Sequence, residues 1–315
     1  MKLCLCCGKP LRSESSEKFG WHASCTKKFF GTSVFPDIDV SKEGLYQLVL
    51  DSTGKGFTVT GVQKKLSLHL SEGEKPRLTL VNYPTGYILK PQTEDYIALP
   101  EMEYAVMQMA KASGIATVPF ALVRLLSQDD SFAYITKRID RENGKTLAME
   151  DFCQLDGRLT EDKYRGSYER CGKIVNRYSH RAKLDISELF LRIVFSFAVG
   201  NSDMHLKNFS LIETEEGSSD YQLSAAYDLL STNVVLPADR EQMALTLNGK
   251  KQNIRRKDFL AFAGTIGLEE KIAGKMIEKI RKLESRYLDI CAVSFMPDDM
   301  KDALSALIRD RLAML

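Results

Sequence analysis

The chain has 315 residues, of which 44% are hydrophobic and 27% charged, and its 44 Lys and Arg against 42 Asp and Glu give a formal charge of +2. This composition is that of a globular protein with a sizeable core, long enough for roughly two domains. The small net charge excludes a globally basic surface for nucleic acid or membranes, and no apolar run approaches the roughly 20 residues of a membrane helix. The N-terminus is too rich in cysteine for a signal peptide, so we expect a cytoplasmic protein without a membrane partner.

The N-terminal segment contains two pairs of metal-binding residue types. Cys4 and Cys7 are separated by two residues, as are His22 and Cys25, and fourteen residues lie between the pairs. This spacing suits one tetrahedral Zn²⁺ held by three thiolates and one imidazole, and four protein ligands would make the site structural. Two alternatives stay open: Cys6 can compete with Cys7, or the cysteines can be free thiols.

The chain from residue 31 to residue 145 predicts a strand-rich lobe. Leu66, Leu68 and Leu70 alternate as in a strand, and "PRLTLVNY" and "TGYILKP" indicate two more. The apolar spacing of "EMEYAVMQMAKASG" predicts a helix that ends at Gly114. "VPFALVRLL" and "SFAYITKRI" predict a β-hairpin.

The chain from residue 146 to residue 315 predicts helices instead. An apolar face from Leu184 to Phe197 indicates a helix that ends at Gly200, and "EKIAGKMIEKIRKLESRYLDI" and "DDMKDALSALIRDRLAML" predict two amphipathic helices. The expected fold class is therefore α+β. Its expected domains are a zinc-knuckle-like segment (1–30), a strand-rich lobe (31–145) and a helical lobe (146–315).

The helix predicted to end at Gly200 leads directly into a cluster of functional side chains, "GNSDMHLKNF". Asp203 and Asn208 are five positions apart, the spacing at which protein kinases place a catalytic base and a magnesium-binding amide. Asp228 follows a strand-like segment, as a second metal ligand would, and Lys207 can neutralise charge on a transferred phosphoryl group. A polar turn after a helix is the alternative interpretation of the spacing alone.

The strand-rich lobe offers complementary groups for a nucleotide. Lys90 ends a predicted strand and can pair with α- and β-phosphates, while Glu103, or alternatively Glu101, can hold it in place from the next helix. Backbone N–H groups near Gly61 can cradle phosphates, with Lys65 adding positive charge. Each signal is weak alone, but their order along the chain is that of a kinase.

Six motifs carry a resemblance to a known family: "FTVTGVQKKLSL", "YILKP", "MEYAVMQMAKASGI", "YITKRIDR", "GNSDMHLKNFSLI" and "AAYDLLST". In this order, between residues 57 and 232, the sequence resembles the HipA-like toxin kinases of bacterial toxin–antitoxin systems. The resemblance implies a two-lobed, protein-kinase-like fold with a strand-rich N-lobe and a helical C-lobe. It also implies an enzyme that phosphorylates Ser or Thr of a protein with ATP and Mg²⁺.

The resemblance assigns roles to the catalytic positions. Asp203 corresponds to the family's catalytic base, Asn208 and Asp228 to its metal ligands, and Lys90 to its nucleotide-phosphate lysine. The "KRI" segment, which includes Lys137 and Ile139, would then lie at the hinge beside the adenine.

The family's Gly-containing loop also carries a regulatory hydroxyl, whose autophosphorylation ejects the loop and stops ATP binding. The corresponding residues here are Thr58 and Thr60, where familiar members have serine. A threonine hydroxyl is a competent acceptor on a stiffer side chain. The resemblance therefore implies autophosphorylation at one of these two threonines.

The resemblance further implies protein partners. Full-size members have an additional β-rich N-terminal subdomain, whereas this chain reaches its Gly-containing loop by residue 58 and so resembles the short form. In such systems a separate small protein can supply the missing subdomain, and a helix-turn-helix antitoxin completes the operon, with DNA contacted only through the antitoxin. The expected substrate is a protein such as an aminoacyl-tRNA synthetase, whose phosphorylation would block translation.

Two other functions stay open. A kinase acting on a small molecule or lipid is compatible with the absence of a His-Arg pair before Asp203. A catalytically silent kinase-fold module would instead recruit partners through its N-terminal cysteines and the basic segment "KKQNIRRK" (250–257). The complete set of Lys90, Asp203, Asn208 and Asp228 favours an active kinase.

Overall fold

The chain divides into two compact units. The computed structural model describes residues 2–11, 19–38, 65–71, 76–79, 86–125, 131–142 and 145–315. Unit 1 comprises Met1–Tyr104 and Val118–Gly144, and unit 2 comprises Ala105–Thr117 and Lys145–Leu315. Within the described ranges, no helix combines the length and the apolar character that crossing a membrane requires.

Unit 1 is built on a six-stranded sheet. Its strands are β1 (Asp37–Ile38), β2 (Leu66–Leu70), β3 (Arg77–Thr79), β4 (Tyr87–Pro91), β5 (Phe120–Arg124) and β6 (Phe132–Lys137). They lie in the order β1-β3-β2-β4-β6-β5, and only β1 and β3 run parallel. The predicted hairpin is confirmed, because β5 and β6 pair antiparallel with Phe120 opposite Thr136. Strand β4 therefore lies inside the sheet and β5 at its edge.

Two helices accompany this sheet in the sequence, α1 (Ala23–Phe30) and α2 (Leu99–Ala112). The apolar face predicted for α2 is confirmed, since Met102, Val106 and Met109 are fully buried. The helix is followed by Gly114, whose φ of +80° is a left-handed conformation that favours glycine. The two-residue strands β7 (Arg141–Glu142) and β8 (Lys145–Thr146) follow later in the chain.

Unit 2 is mainly helical. Its helices are α3 (Phe152–Leu155), α4 (Tyr168–Tyr178), α5 (Ala182–Ala198), α6 (Thr232–Val235), α7 (Arg256–Thr265), α8 (Glu270–Arg281), α9 (Glu284–Ala292) and α10 (Asp298–Ala313). It also contains a small antiparallel sheet of β9 (Met149–Asp151), β10 (Ser210–Glu213) and β11 (Tyr221–Leu223), with β10 in the middle. The strand-like segment predicted before Asp228 contains β11, whereas β9 and β10 were not predicted, because strands of three or four residues are too short to show an alternating pattern.

Helix α5 positions the predicted catalytic segment. Phe190, Phe195 and Phe197 are fully buried, so the helix runs through the core and is fixed by packing on several sides. The first residue of the predicted apolar face, Leu184, is 66% exposed instead. The helix predicted over residues 270–290 is interrupted between α8 and α9, where the Leu283 N–H bonds to the carbonyl of Ile280 rather than continuing the α-helical pattern.

Candidate active site and candidate metal centre

Unit 1 contains a buried ion pair between a strand and a helix. Lys90 lies on β4 opposite Tyr134 of β6, and its Nζ is 2.6 Å from Oε1 of Glu103 on α2. The two side chains are only 4% and 3% exposed. The Lys90 ammonium also lies 5.3 Å from the centre of the Tyr134 ring. Of the two glutamates considered from the sequence, the structure thus pairs Glu103, and not Glu101, with Lys90.

Removing two charges from water costs several kcal/mol per ion. Because this cost can exceed the attraction between the ions, a buried ion pair is not explained by fold stability alone. A lysine fixed in this way is, however, well suited to holding phosphate groups in a defined position. The pair therefore has the geometry expected of a kinase lysine and its helix partner.

The described nucleotide-binding candidates that remain in unit 1 lie in or beside strands. Lys65 is half-buried and directly precedes β2, and Lys137 is the last residue of β6, with half-buried Ile139 two residues later. Gly61, Thr58 and Thr60 lie outside the described residues. Their assigned roles stay predictions from the sequence.

The predicted catalytic loop starts where α5 ends. Gly200 has a φ of +68°, a left-handed conformation that favours glycine at this turn. The amide Nδ2 of Asn208 donates to the carbonyl of Asp203 at 2.8 Å, and the His205 N–H donates to the same carbonyl at 2.8 Å. The five-residue spacing thus closes a compact loop that holds Asp203 and Asn208 together.

Asp228 has an unusual backbone conformation. Its φ of +55° is in the left-handed region, which costs a residue other than glycine roughly 1 kcal/mol. The preceding Tyr227 directs its hydroxyl to the carbonyl of Lys207 at 3.2 Å and to Ser210 Oγ at 2.5 Å. These bonds tie the Asp228 segment to the catalytic loop, and they support the strained conformation that follows Tyr227.

The pKa of His205 is affected by both Asp203 and Asp228. Burial lowers the pKa of His205, and the carboxylates of Asp203 and Asp228 oppose this shift. The imidazole Nδ1 is buried, and within the described part of the chain it has no hydrogen-bond partner. Burial therefore favours the neutral form of this imidazole.

Lys207 forms an ion pair that the sequence did not indicate. Its Nζ is 2.6 Å from Oδ2 of Asp151, and both side chains are largely buried. Asp151 is also the N-cap of α3, where its Oδ1 accepts from the Gln154 N–H at 2.9 Å. The carboxylate fixes the position of the ammonium, and Asp151 is therefore a functional candidate that came from the fold alone.

The four predicted zinc ligands converge in unit 1. The ligand atoms of Cys4, Cys7, His22 and Cys25 all lie within 4.8 Å of one another, and His22 Nδ1 is 3.4 Å from Cys7 Sγ. With Zn–S distances of about 2.3 Å, tetrahedral ligands lie roughly 3.8 Å apart, close to this arrangement. This set contains Cys7 and not Cys6.

The surroundings of the cluster also fit a metal. His22 Nε2 donates to the carbonyl of Pro10 at 3.1 Å, which leaves the Nδ1 lone pair directed at the thiols, as in a metal-bound histidine. Burial, followed by the thiols of Cys6, Cys4 and Cys7, raises the pKa of the Cys25 thiol. A bound cation would offset this preference and favour the thiolates.

The Cys/His segment is attached to the edge of the unit 1 sheet. The carbonyl of Leu5 accepts from the Leu122 N–H at 2.9 Å, and Trp21 Nε1 donates to the Leu122 carbonyl at 2.9 Å. These bonds satisfy backbone groups on the edge strand β5 that would otherwise be unpaired. The Trp21 ring also lies 5.4 Å from both Phe29 and Phe30. The segment therefore forms part of the core of unit 1.

Comparison with protein families agrees with this geometry. A family model described as the HipA-like C-terminal domain matches residues 57–287. The match includes Lys90, Glu103 and the catalytic loop.

Curated relatives are similar over much of the chain. A Haemophilus influenzae protein named "Putative kinase" is 28% identical, over 100% of this chain and 98% of that protein. "Putative kinase Y4dM" of Sinorhizobium fredii is 32% identical over 73% of this chain, and the aligned part spans 58% of that protein. The chain thus matches the whole of one relative and little more than half of the other.

Solved structures show the same fold at lower identity. HipA of Shewanella oneidensis MR-1, solved in complex with HipB and operator DNA, has a TM-score of 0.67 at 19% identity, covering 82% of this chain and 64% of that chain. The proinflammatory kinase CtkA of Helicobacter pylori has a TM-score of 0.53 at 15% identity, covering 78% and 90%. The fold class predicted from the sequence, a kinase-like α+β fold with a strand-rich and a helical part, is confirmed. With its family match over most of the chain, this protein belongs to the HipA-like C-terminal domain family.

Proposed function

We propose that the protein is a serine/threonine protein kinase that transfers the γ-phosphoryl group of ATP in the presence of Mg²⁺. The observation that carries the proposal is the closed loop in which Asn208 bonds to the Asp203 carbonyl, with Asp228 held beside it through Tyr227. A polar turn after a helix does not require this strained and cross-linked arrangement. A phosphoryl-transfer site does, because its base and metal ligands must be fixed before substrates arrive.

Each residue would have a defined task. Asp203 would orient the acceptor hydroxyl and take its proton, while the acceptor oxygen bonds to the γ-phosphorus and ADP leaves. Asn208 and Asp228 supply the oxygen ligands that Mg²⁺ prefers, and the bound ion would neutralise phosphate charge. Lys207, held by Asp151, would add positive charge.

The nucleotide contacts proposed for unit 1 centre on Lys90, which Glu103 would hold against the α- and β-phosphates. Gly61 and Lys65 would contribute further phosphate contacts, and Lys137 and Ile139 would contact the adenine. The predicted boundaries of the two lobes, residues 31–145 for the strand-rich lobe and residues 146–315 for the helical lobe, are part of this proposal.

We propose that the kinase is the toxin of a toxin–antitoxin system. Support comes from the structural similarity to HipA, which was solved with HipB and operator DNA. The proposed partners are a helix-turn-helix antitoxin, through which alone DNA would be contacted, and a small protein that resembles the family's β-rich N-terminal subdomain. The proposed target is a translation protein such as an aminoacyl-tRNA synthetase, and autophosphorylation at Thr58 or Thr60 would switch the kinase off.

Expression in bacteria tests this function. Induction of the wild type is expected to arrest growth and to produce new phosphoserine or phosphothreonine in one or a few translation proteins, as measured by quantitative phosphoproteomics. Asp203→Asn should do neither, and exposed Asp220 offers a matched control, Asp220→Asn, that should behave as wild type. Arrest with a modified metabolite and no new phosphoprotein would favour a small-molecule kinase. Nucleotide binding without any transfer would favour a silent module.

We also propose that Cys4, Cys7, His22 and Cys25 hold one structural Zn²⁺. Cys7→Ser is expected to lose the metal and about 3 kcal/mol or more of stability, because zinc binding is coupled to folding. Cys6→Ser is the matched control and should keep one Zn²⁺ per chain. Elemental analysis and chemical denaturation check both variants; equal zinc content in the two proteins would contradict the assigned ligand set.

A further inference from the structure

The hydroxyl of Tyr164 lies against the carboxylate of Asp203. Tyr164 Oη donates to Asp203 Oδ1 at 2.5 Å, and in the described ranges no other side chain hydrogen bonds to this carboxylate. Burial, followed by the Asp203 carboxylate, raises the pKa of Tyr164, so the phenol is protonated at neutral pH and acts as the donor. The proposed base is therefore already occupied by a hydroxyl group of the same chain.

The position of the loop does not depend on this contact. The Asp203 N–H donates to Asn201 Oδ1 at 3.2 Å, and its carbonyl accepts from His205 N and Asn208 Nδ2, both at 2.8 Å. These three bonds involve the backbone of Asp203 and fix it from both sides. Removing the Tyr164 hydroxyl should accordingly free the carboxylate without moving the loop.

Tyr164 is also accessible to solvent. It follows the short 3₁₀ turn Thr160–Asp162 and precedes α4, and it remains 43% exposed. Its ring contacts His205 edge-on, with ring centres 5.0 Å apart, and Lys163 Nζ lies 5.0 Å from its centre. A side chain that is nearly half exposed can rotate into solvent without opening the core of unit 2.

The hydrogen bond from Tyr164 to Asp203 has the geometry expected for an acceptor hydroxyl that gives its proton to a general base. A general base receives its proton from a hydroxyl within hydrogen-bond distance, and O–H···O⁻ bonds are 2.5–2.7 Å long. We propose that Tyr164 is an acceptor mimic: it occupies the acceptor-hydroxyl position on Asp203 and must be displaced before a substrate hydroxyl or water can react. The inference rests on the proposed kinase function, with Asp203 as the base, and adds a residue that selects acceptors able to displace the phenol.

ATP hydrolysis without a protein acceptor tests this proposal, because water then has to compete with Tyr164. Tyr164→Phe keeps the ring and removes the hydroxyl, and it is expected to raise the kcat of hydrolysis about tenfold, the equivalent of one hydrogen bond to a charged group. The KM for ATP should not change. Tyr178→Phe, at a tyrosine that is 38% exposed on α4, should match the wild type. The gain should vanish when Asp203→Asn is combined with Tyr164→Phe.

The outcomes separate this inference from the proposed function. A stable Tyr164→Phe protein that hydrolyses ATP no faster than an active wild type would overturn the inference and leave the kinase intact; slower hydrolysis would make Tyr164 a positioning residue instead. If neither the wild type nor the variant hydrolysed ATP or transferred phosphate, the proposed function would fail and this inference with it.

Discussion

Replacement of Asp203 by asparagine is expected to slow phosphoryl transfer by roughly 10²–10⁴-fold, the usual contribution of a general base. Asparagine has the same shape but cannot take a proton from the acceptor. The backbone bonds from Asn201, His205 and Asn208 do not involve the carboxylate, so the loop should keep its conformation. Initial rates at saturating Mg²⁺ and ATP measure the loss.

The Asp203→Asn protein should bind nucleotide as the wild type does, because the proposed phosphate and metal contacts are made by other residues. Calorimetric titration with a non-hydrolysable ATP analogue checks this, and Asp220→Asn controls for the loss of one carboxylate elsewhere in unit 2. Transfer at the wild-type rate by Asp203→Asn would remove Asp203 from the chemistry.

Removal of Glu103 is expected to have the largest effect on stability. Glu103→Ala would remove the carboxylate that lies 2.6 Å from the buried Lys90 ammonium, and breaking a buried ion pair typically costs about 3–5 kcal/mol. The neighbouring Glu101 is a matched control. Burial raises the pKa of its carboxyl group, and among the described residues no lysine forms an ion pair with it. Glu101→Ala should therefore cost much less in chemical denaturation.

A double variant separates stability from function. Lys90→Met combined with Glu103→Leu replaces the buried ions by apolar groups of similar size, and should recover most of the stability lost in Glu103→Ala. It should not recover nucleotide binding, because the phosphate-binding lysine is gone. Equal stability of Glu103→Ala and Glu101→Ala would contradict the buried ion pair.

The residues that could be predicted from the sequence are those whose chemistry is local. Asp203 and Asn208 are joined within one loop, so their spacing of five positions reflects a hydrogen bond that the structure contains. The predicted zinc ligands form two close pairs in the sequence, and the ligand atoms of the four residues lie within 4.8 Å of one another. Lys90 could be predicted because it lies at the end of a predicted strand, and Glu103 because it lies on the helix that follows.

The contacts that escaped prediction join residues far apart in the chain. Asp151 pairs with Lys207 across 56 positions, and Tyr164 reaches Asp203 across 39. Neither residue has a pattern in its own neighbourhood that indicates the contact, which exists only because β9, β10 and α4 pack around the catalytic loop. Among these residues, only Tyr227 could have been singled out from the sequence, because it directly precedes the predicted metal ligand Asp228.

We propose above that this chain transfers the γ-phosphoryl group of ATP to a protein hydroxyl, with Asp203 as the base. The most direct measurement incubates the wild type and Asp203→Asn with Mg²⁺ and ATP labelled in either the γ- or the α-phosphate, with a bacterial lysate as the source of acceptors. We predict that wild type alone transfers label, only from the γ-phosphate, to threonine or serine, including Thr58 or Thr60 of its own chain. Equal labelling by the two proteins would contradict the role of Asp203, and no γ-label on any protein would contradict the proposed kinase function.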